Sequence, residues 1–199
     1  MLAPGPSASG TVFLDRDGTI NVKPSEGEYV TSPDGLVLLP GAARAVARLN
    51  AAGVRTVLVT NQSWLSRSPG NSARYAAIHA RLAQLLSAEG ARLDAAYHCP
   101  HPPATCDCRK PLPGMLRRAA RELRIRLDQA VMIGDSDSDL LAGRAAGTST
   151  ILLRPGAGGS AATHADAVAG DLPSAVGLIL SARGVTAGNG ASPFGPATR

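Results

Sequence analysis

Aromatic residues are nearly missing from this chain: one Trp, three Tyr and two Phe stand among 199 positions. Single-stranded nucleic acids are gripped largely by stacking on such rings. No dense Lys/Arg run makes up for the shortage, although the net charge is +5 and the pI ≈ 9.6. The positive excess is Arg scattered among Ala and Gly, which suits attraction of a small anionic substrate and argues against a dedicated nucleic-acid surface. Apolar runs are short, and none nears the roughly 18 residues that span a bilayer. Met1 to Ser7 carry neither a basic region nor an apolar core. No secretory signal and no membrane partner are expected, and the expected location is cytoplasmic. Cysteine is scarce too, with three residues, all between Cys99 and Cys108. A disulfide framework would spread its cysteines and pair them evenly.

What remains is ordinary globular material. Hydrophobic residues make up 44% of the chain, enough for one sizeable core. Residues 1–10 are rich in Pro, Gly, Ser and Ala and are expected to be flexible. Residues 183–199 have little to bury and are expected to be a disordered tail. One domain is expected over 11–182. Strands are predicted at 11–14, 54–60, 94–99, 130–134 and 148–153, with a short sixth near Val168. Helices are predicted at 41–52, 72–89, 113–125, 137–146 and 173–181, and residues 64–72 read as a polar turn. Strands alternating with helices imply an α/β fold, a doubly wound, Rossmann-like parallel sheet. The connections leave no room for a large cap domain. The 21–40 connection is long enough to be a binding loop.

Reactive groups recur where strands end. Thr11-Val12-Phe13-Leu14 runs straight into Asp15-Arg16-Asp17-Gly18-Thr19. Asp15 and Asp17 share parity and would face one way if the strand stayed straight, while Gly18 permits a sharp turn. Alone, the stretch could be no more than a strand and an Asp-Gly turn. The second strand ends in Thr60-Asn61-Gln62-Ser63 and the fourth in Gly134-Asp135, with Asp139 on the next helix. Lys110 stands in the loop before the helix at 113. In a parallel sheet these ends share one edge. Paired carboxylates there can hold a hard cation, attack an electrophile and move a proton. Cys99, His101, Cys106 and Cys108 form C-x-H-x4-C-x-C, four ligands suited to a structural, tetrahedral Zn²⁺. Three buried thiols or a redox pair are the other accounts of the cluster. The zinc loop would fix the segment that carries Arg109 and Lys110.

The ordered set Asp15-x-Asp17-Gly-Thr, Thr60, Lys110 and Gly134-Asp135-x-x-x-Asp139 resembles the haloacid dehalogenase superfamily of phosphotransferases, over residues 11 to about 180. The resemblance implies that Asp15 is the nucleophile and becomes an aspartyl-phosphate, and that Asp17 is the general acid and base. Thr60 and Lys110 would meet the phosphoryl oxygens. Mg²⁺ would be held by Asp15, the Asp17 carbonyl and Asp135. Within the superfamily, Cys-Pro-His and Cys-Asp-Cys-Arg-Lys-Pro resemble the zinc-bearing, capless phosphatases. These are of two kinds, acting on heptose 1,7-bisphosphate or on histidinol phosphate. Asn61-Gln62-Ser63 looks like the heptose kind, and the short spacer between His101 and Cys106 leans toward the other; the Asn-Gln-Ser signature, which would line the substrate pocket, weighs more, so the resemblance implies the heptose kind, with histidinol phosphate as the alternative. A monomer is expected, and the resemblance implies a small phosphorylated metabolite as substrate. Arg109, Asn21, Asn61, Ser63 and Arg67 would contact it. Trp64 and Ser68 stand where glycines are usual, and Trp64 reads either as a stacking platform or as a packing residue.

Overall fold

A computed structural model describes residues 10–25, 28–154 and 164–184. The flexible start and disordered tail expected from composition fall almost entirely outside the described residues. The chain order is β1 (Thr11–Leu14), α1 (Ala42–Ala51), β2 (Arg55–Asn61), α2 (Asn71–Ser87), β3 (Ala95–Cys99), α3 (Gly114–Leu123), β4 (Ala130–Gly134), α4 (Asp137–Ala146), β5 (Ser149–Leu153), β6 (Ala167–Ala169) and α5 (Leu172–Ala182). The six strands form one parallel sheet in the order β3-β2-β1-β4-β5-β6. Every strand and helix predicted from the hydrophobic pattern is present, including the short sixth strand.

β1 is central and buried on both faces, as its unbroken apolar run demands. Successive residues serve opposite faces. Val12 and Leu14 join the core under α1, α2 and α5, whereas Phe13 joins Met115, Leu116 and Ala119 of α3 and Ala142 of α4. The edge strands are pinned alike. The Asp94 carboxylate, just before β3, accepts from the Thr56 backbone N–H at 2.7 Å, and Asp166, just before β6, accepts from that of Thr150 at 2.7 Å. Each pair fixes where an outer strand starts against its neighbour.

The chain winds one way from β1 to β2 and β3, and the other way from β4 to β6. A crevice therefore opens at the carboxyl ends of β1 and β4. Among the described residues no second sheet or helical cap covers it. One element differs from expectation. Ser63–Arg67 is a 3₁₀ turn, not an open polar loop, and it buries Trp64 and Leu65. Trp64 is 3% exposed and its Nε1 donates to Gln62 Oε1 at 2.7 Å, so it packs and offers no open face for stacking.

Candidate active site

Three strand ends and one loop deliver the site. β1 stops at Leu14, but Asp15 N–H still donates to the Ile133 carbonyl at 3.0 Å. That bond carries Asp15 alongside β4, whose own end delivers Asp135. Gly18 makes the tight return possible. Its φ is +87°, and a Cβ there would come within 2.3 Å of Asp135 Oδ2.

Lys110 occupies the centre. Its side chain is buried, and Nζ donates to Asp15 Oδ1 at 2.7 Å, to Asp139 Oδ1 at 2.5 Å and to the Val59 carbonyl at 2.9 Å. Burial opposes its charge, but Asp139 and Asp15 outweigh burial and raise its pKa. Asp15 shows the opposite balance. Desolvation pushes its carboxyl up to about 7, with Lys110 pulling it down and Asp139 pushing it up. Asp139 is fully buried. Its Oδ2 accepts from Ser136 Oγ at 2.6 Å and from Ser136 N–H at 3.2 Å, closing a capping box on α4. With both oxygens engaged by protein donors, Asp139 holds Lys110 in place. The Ser136-x-x-Asp139 spacing was the sequence signal for this role.

Asp17 does not follow from strand parity, because the strand has already ended. Its carboxylate turns onto four donors: Arg16 Nε at 3.1 Å and Nη2 at 3.0 Å, Asn21 Nδ2 at 2.9 Å and Gln62 Nε2 at 3.0 Å. Arg16 is only 2% exposed, so this fork is an internal one. Gln62 Nε2 also donates to Thr60 Oγ1 at 2.9 Å, which leaves the Thr60 hydroxyl proton free for the pocket. Arg16 and Gln62 stand inside motifs noted in the sequence but were given no role of their own, although a polar run directly behind an apolar strand was the available hint.

Asp15, Asp17, Thr60, Asn61, Arg109, Lys110 and Asp135 line one cavity of ≈ 520 Å³, together with Lys23 and Tyr29. Three residues expected at the substrate do not line it. Asn21 is buried under Asp17. Ser63 hydrogen-bonds the Tyr29 hydroxyl at 2.8 Å, and the Arg67 guanidinium lies 5.7 Å from the centre of the Tyr29 ring. Ser63 and Arg67 thus support a wall of the pocket from behind. Asn61 reaches the pocket, but its amide is clamped to the Lys110 backbone, donating to the carbonyl at 3.0 Å and accepting from the N–H at 3.1 Å. Arg109 Nη1 is buried and has no partner among the described residues.

Carboxylate oxygens of Asp15, Asp135 and Asp139 lie within 4.8 Å of one another. With all three ionised, these carboxylates face two ammonium groups, Lys110 and Lys23, leaving one negative charge in excess. Hard oxygen donors with an unbalanced negative charge fit a small divalent cation. The Cys99, His101, Cys106 and Cys108 group fits a tetrahedral metal. Sulfur-to-sulfur separations are 3.3, 3.3 and 3.5 Å, and His101 Nδ1 lies 3.2 Å from Cys108 Sγ and 3.7 Å from Cys99 Sγ. A tetrahedron of sulfurs around zinc has edges of about 3.8 Å, given Zn–S bonds of about 2.3 Å. The loop packs on α3 through Gly114, whose N–H donates to the Asp107 carbonyl and where a Cβ would meet that oxygen at 2.4 Å.

Comparison with known proteins agrees with this geometry. The HAD-hydrolase-like family model matches residues 107–175. The D-glycero-β-D-manno-heptose-1,7-bisphosphate 7-phosphatase of Bordetella bronchiseptica is 42% identical over 148 residues, covering 74% of this chain and 82% of that protein. That of Pseudomonas putida is 39% identical, with 74% and 83% covered. The crystal structure of the B. bronchiseptica D,D-heptose 1,7-bisphosphate phosphatase complexed with magnesium and phosphate superposes with a TM-score of 0.77 at 38% identity, covering 86% of this chain and 98% of that one. The Burkholderia thailandensis enzyme gives 0.64 at 33% identity, with the same coverage. A superposable fold and identity at this level over most of both chains have one explanation: this chain belongs to the haloacid dehalogenase-like phosphatase family that contains the heptose 1,7-bisphosphate 7-phosphatases.

Proposed function

We propose that the protein is a Mg²⁺-dependent phosphatase that removes the 7-phosphate of D-glycero-β-D-manno-heptose 1,7-bisphosphate through an aspartyl-phosphate on Asp15. The observation that carries the chemistry is Lys110, buried between Asp15 and Asp139. It neutralises part of the nucleophile's charge and fixes its orientation, leaving Asp15 Oδ2 free of it. The similarity to the heptose phosphatases supports the substrate.

The chain's residues divide the work. An oxygen of Asp15 attacks phosphorus, and the phosphorus–ester oxygen bond breaks. Asp17, once protonated, gives its proton to the departing sugar oxygen, which leaves as a hydroxyl. In the second half Asp17 takes a proton from water as the water attacks phosphorus, the Asp15–phosphorus bond breaks, and phosphate leaves. Arg16, Asn21 and Gln62 orient Asp17 for both transfers. The Thr60 hydroxyl meets a phosphoryl oxygen, and the Lys110 ammonium, its three protons held by Asp15, Asp139 and the Val59 carbonyl, acts on the phosphoryl group through its charge. Asp15, the Asp17 carbonyl and Asp135 would hold Mg²⁺, which when bound masks phosphoryl charge that otherwise repels a carboxylate. Zn²⁺ on Cys99, His101, Cys106 and Cys108 would be structural, holding the loop that presents Arg109 and Lys110. Arg109, which lines the pocket and has a buried, unpartnered Nη1, suits the phosphate that stays.

Phosphate release from heptose 1,7-bisphosphate and from histidinol phosphate, measured side by side with Mg²⁺, tests the reading. A strong preference for the bisphosphate is expected, and Asp15→Asn should abolish it. Preference for histidinol phosphate would overturn the substrate assignment and make the short spacer between His101 and Cys106 the better guide.

A further inference from the structure

Lys23 is unaccounted for by the chemistry above. It lies in the loop between β1 and α1, and its side chain is 55% exposed, yet Nζ donates to Asp135 Oδ2 at 2.6 Å. Asp135 is a carboxylate that a divalent cation would claim. An ammonium at that distance would repel the cation, and the two would compete for the same oxygen. Lys23 has a flexible four-carbon stem on an open loop and can leave at little cost.

Among the described residues, the cations lining the pocket are Lys23, Arg109 and Lys110. Lys110 is consumed by Asp15 and Asp139. Lys23 and Arg109 are therefore the two left for a second anionic group, and they approach from different loops. We propose that Lys23 is a specificity residue: it rests on Asp135 in the metal-free protein, and when the cation site fills it moves to the phosphate that is not removed, sharing that group with Arg109. The proposal rests on the bisphosphate reading above. It makes selectivity for a bisphosphate over a monophosphate a property of this chain's own loop, and it explains why an exposed lysine stands at the mouth of an otherwise acidic site.

The test is Lys23→Met, with Lys23→Arg as the charge-retaining control. Both substitutions are at an exposed loop position, and melting curves would verify folding. KM and kcat are measured for heptose 1,7-bisphosphate and for the heptose 7-phosphate lacking the second group. Mg²⁺ binding to the substrate-free protein is measured by calorimetry. Loss of a charge-assisted bond to phosphate corresponds to about tenfold to hundredfold in affinity. Lys23→Met should raise KM for the bisphosphate by that factor relative to the monophosphate, Lys23→Arg should restore most of it, and Lys23→Met should bind Mg²⁺ several-fold more tightly. Equal KM changes for both substrates, or Mg²⁺ affinity that is unchanged or weaker, would overturn the role of Lys23 alone. A wild-type protein that fails to hydrolyse the bisphosphate would instead overturn the functional reading beneath it.

Discussion

Replacing Lys110 by Met isolates the electrostatics of the site, because Met keeps much of the side-chain volume and removes only the ammonium. In the native protein Nζ lies 2.7 Å from Asp15 and 2.5 Å from Asp139, with the Lys110 side chain 2% exposed. The substitution strands two carboxylates that water barely reaches. Breaking one partner of a buried ion pair costs about 3–5 kcal/mol, which for a domain of this size is roughly 10 °C in Tm. The loss should depend on pH in a defined direction. Asp15 is already pushed up to about 7 from its ordinary 3.8, chiefly by burial. The folded carboxyl thus binds its proton more tightly than the unfolded one. Its contribution to stability is full below the unfolded value and is lost as pH rises through about 7. Removing the ammonium raises it further, so the deficit of Lys110→Met should be larger at pH 8 than at pH 5. Urea unfolding of Mg²⁺-free protein at the two pH values measures this. Adding Asp139→Asn should recover part of the loss at pH 8, since it deletes one stranded charge while keeping the side-chain shape. A deficit below about 1 kcal/mol at pH 8, or one equal at both pH values, would refute the reasoning.

Mg²⁺ binding should displace the Asp15 proton below pH 7, so calorimetry in buffers of different ionisation enthalpy should find proton release approaching one per ion at pH 6 and vanishing by pH 8.5; no release at pH 6 would contradict the raised carboxyl. Asn61→Ala deletes both bonds that fix the Lys110 backbone. It should lower kcat on the order of tenfold to hundredfold by loosening the ammonium's aim, with about 2 kcal/mol of stability lost, whereas wild-type turnover would show the loop is held by other means. Purified protein should carry one equivalent of zinc by elemental analysis. Cys106→Ser or a strong chelator should lower its Tm, and a zinc-free protein of full stability would exclude the tetrahedral site.

The sequence by itself determined the order of strands and helices, because hydrophobic period and Gly/Pro punctuation are local properties that a parallel sheet leaves intact. It also marked the side chains that the fold gathers around one cavity, since Asp15, Asp17, Thr60, Lys110 and Asp135 each stand at a predicted strand end or in the loop facing one. The four Cys/His positions were legible for the same reason: a short spacing leaves few geometries. Only the tertiary structure decided what those side chains touch. That Asp139 holds Lys110, that Asn21 lies under Asp17 and away from the pocket, and that Ser63 and Arg67 buttress Tyr29 depend on contacts between segments far apart in the chain. Trp64, readable as an exposed platform, is buried because the 3₁₀ turn at 63–67 folds its ring inward onto Gln62. The pairing of Lys23 with Asp135 spans 112 positions, and no local pattern encodes it. Which groups neutralise one another is set by the packing of whole elements, which decides the distances through which charge acts.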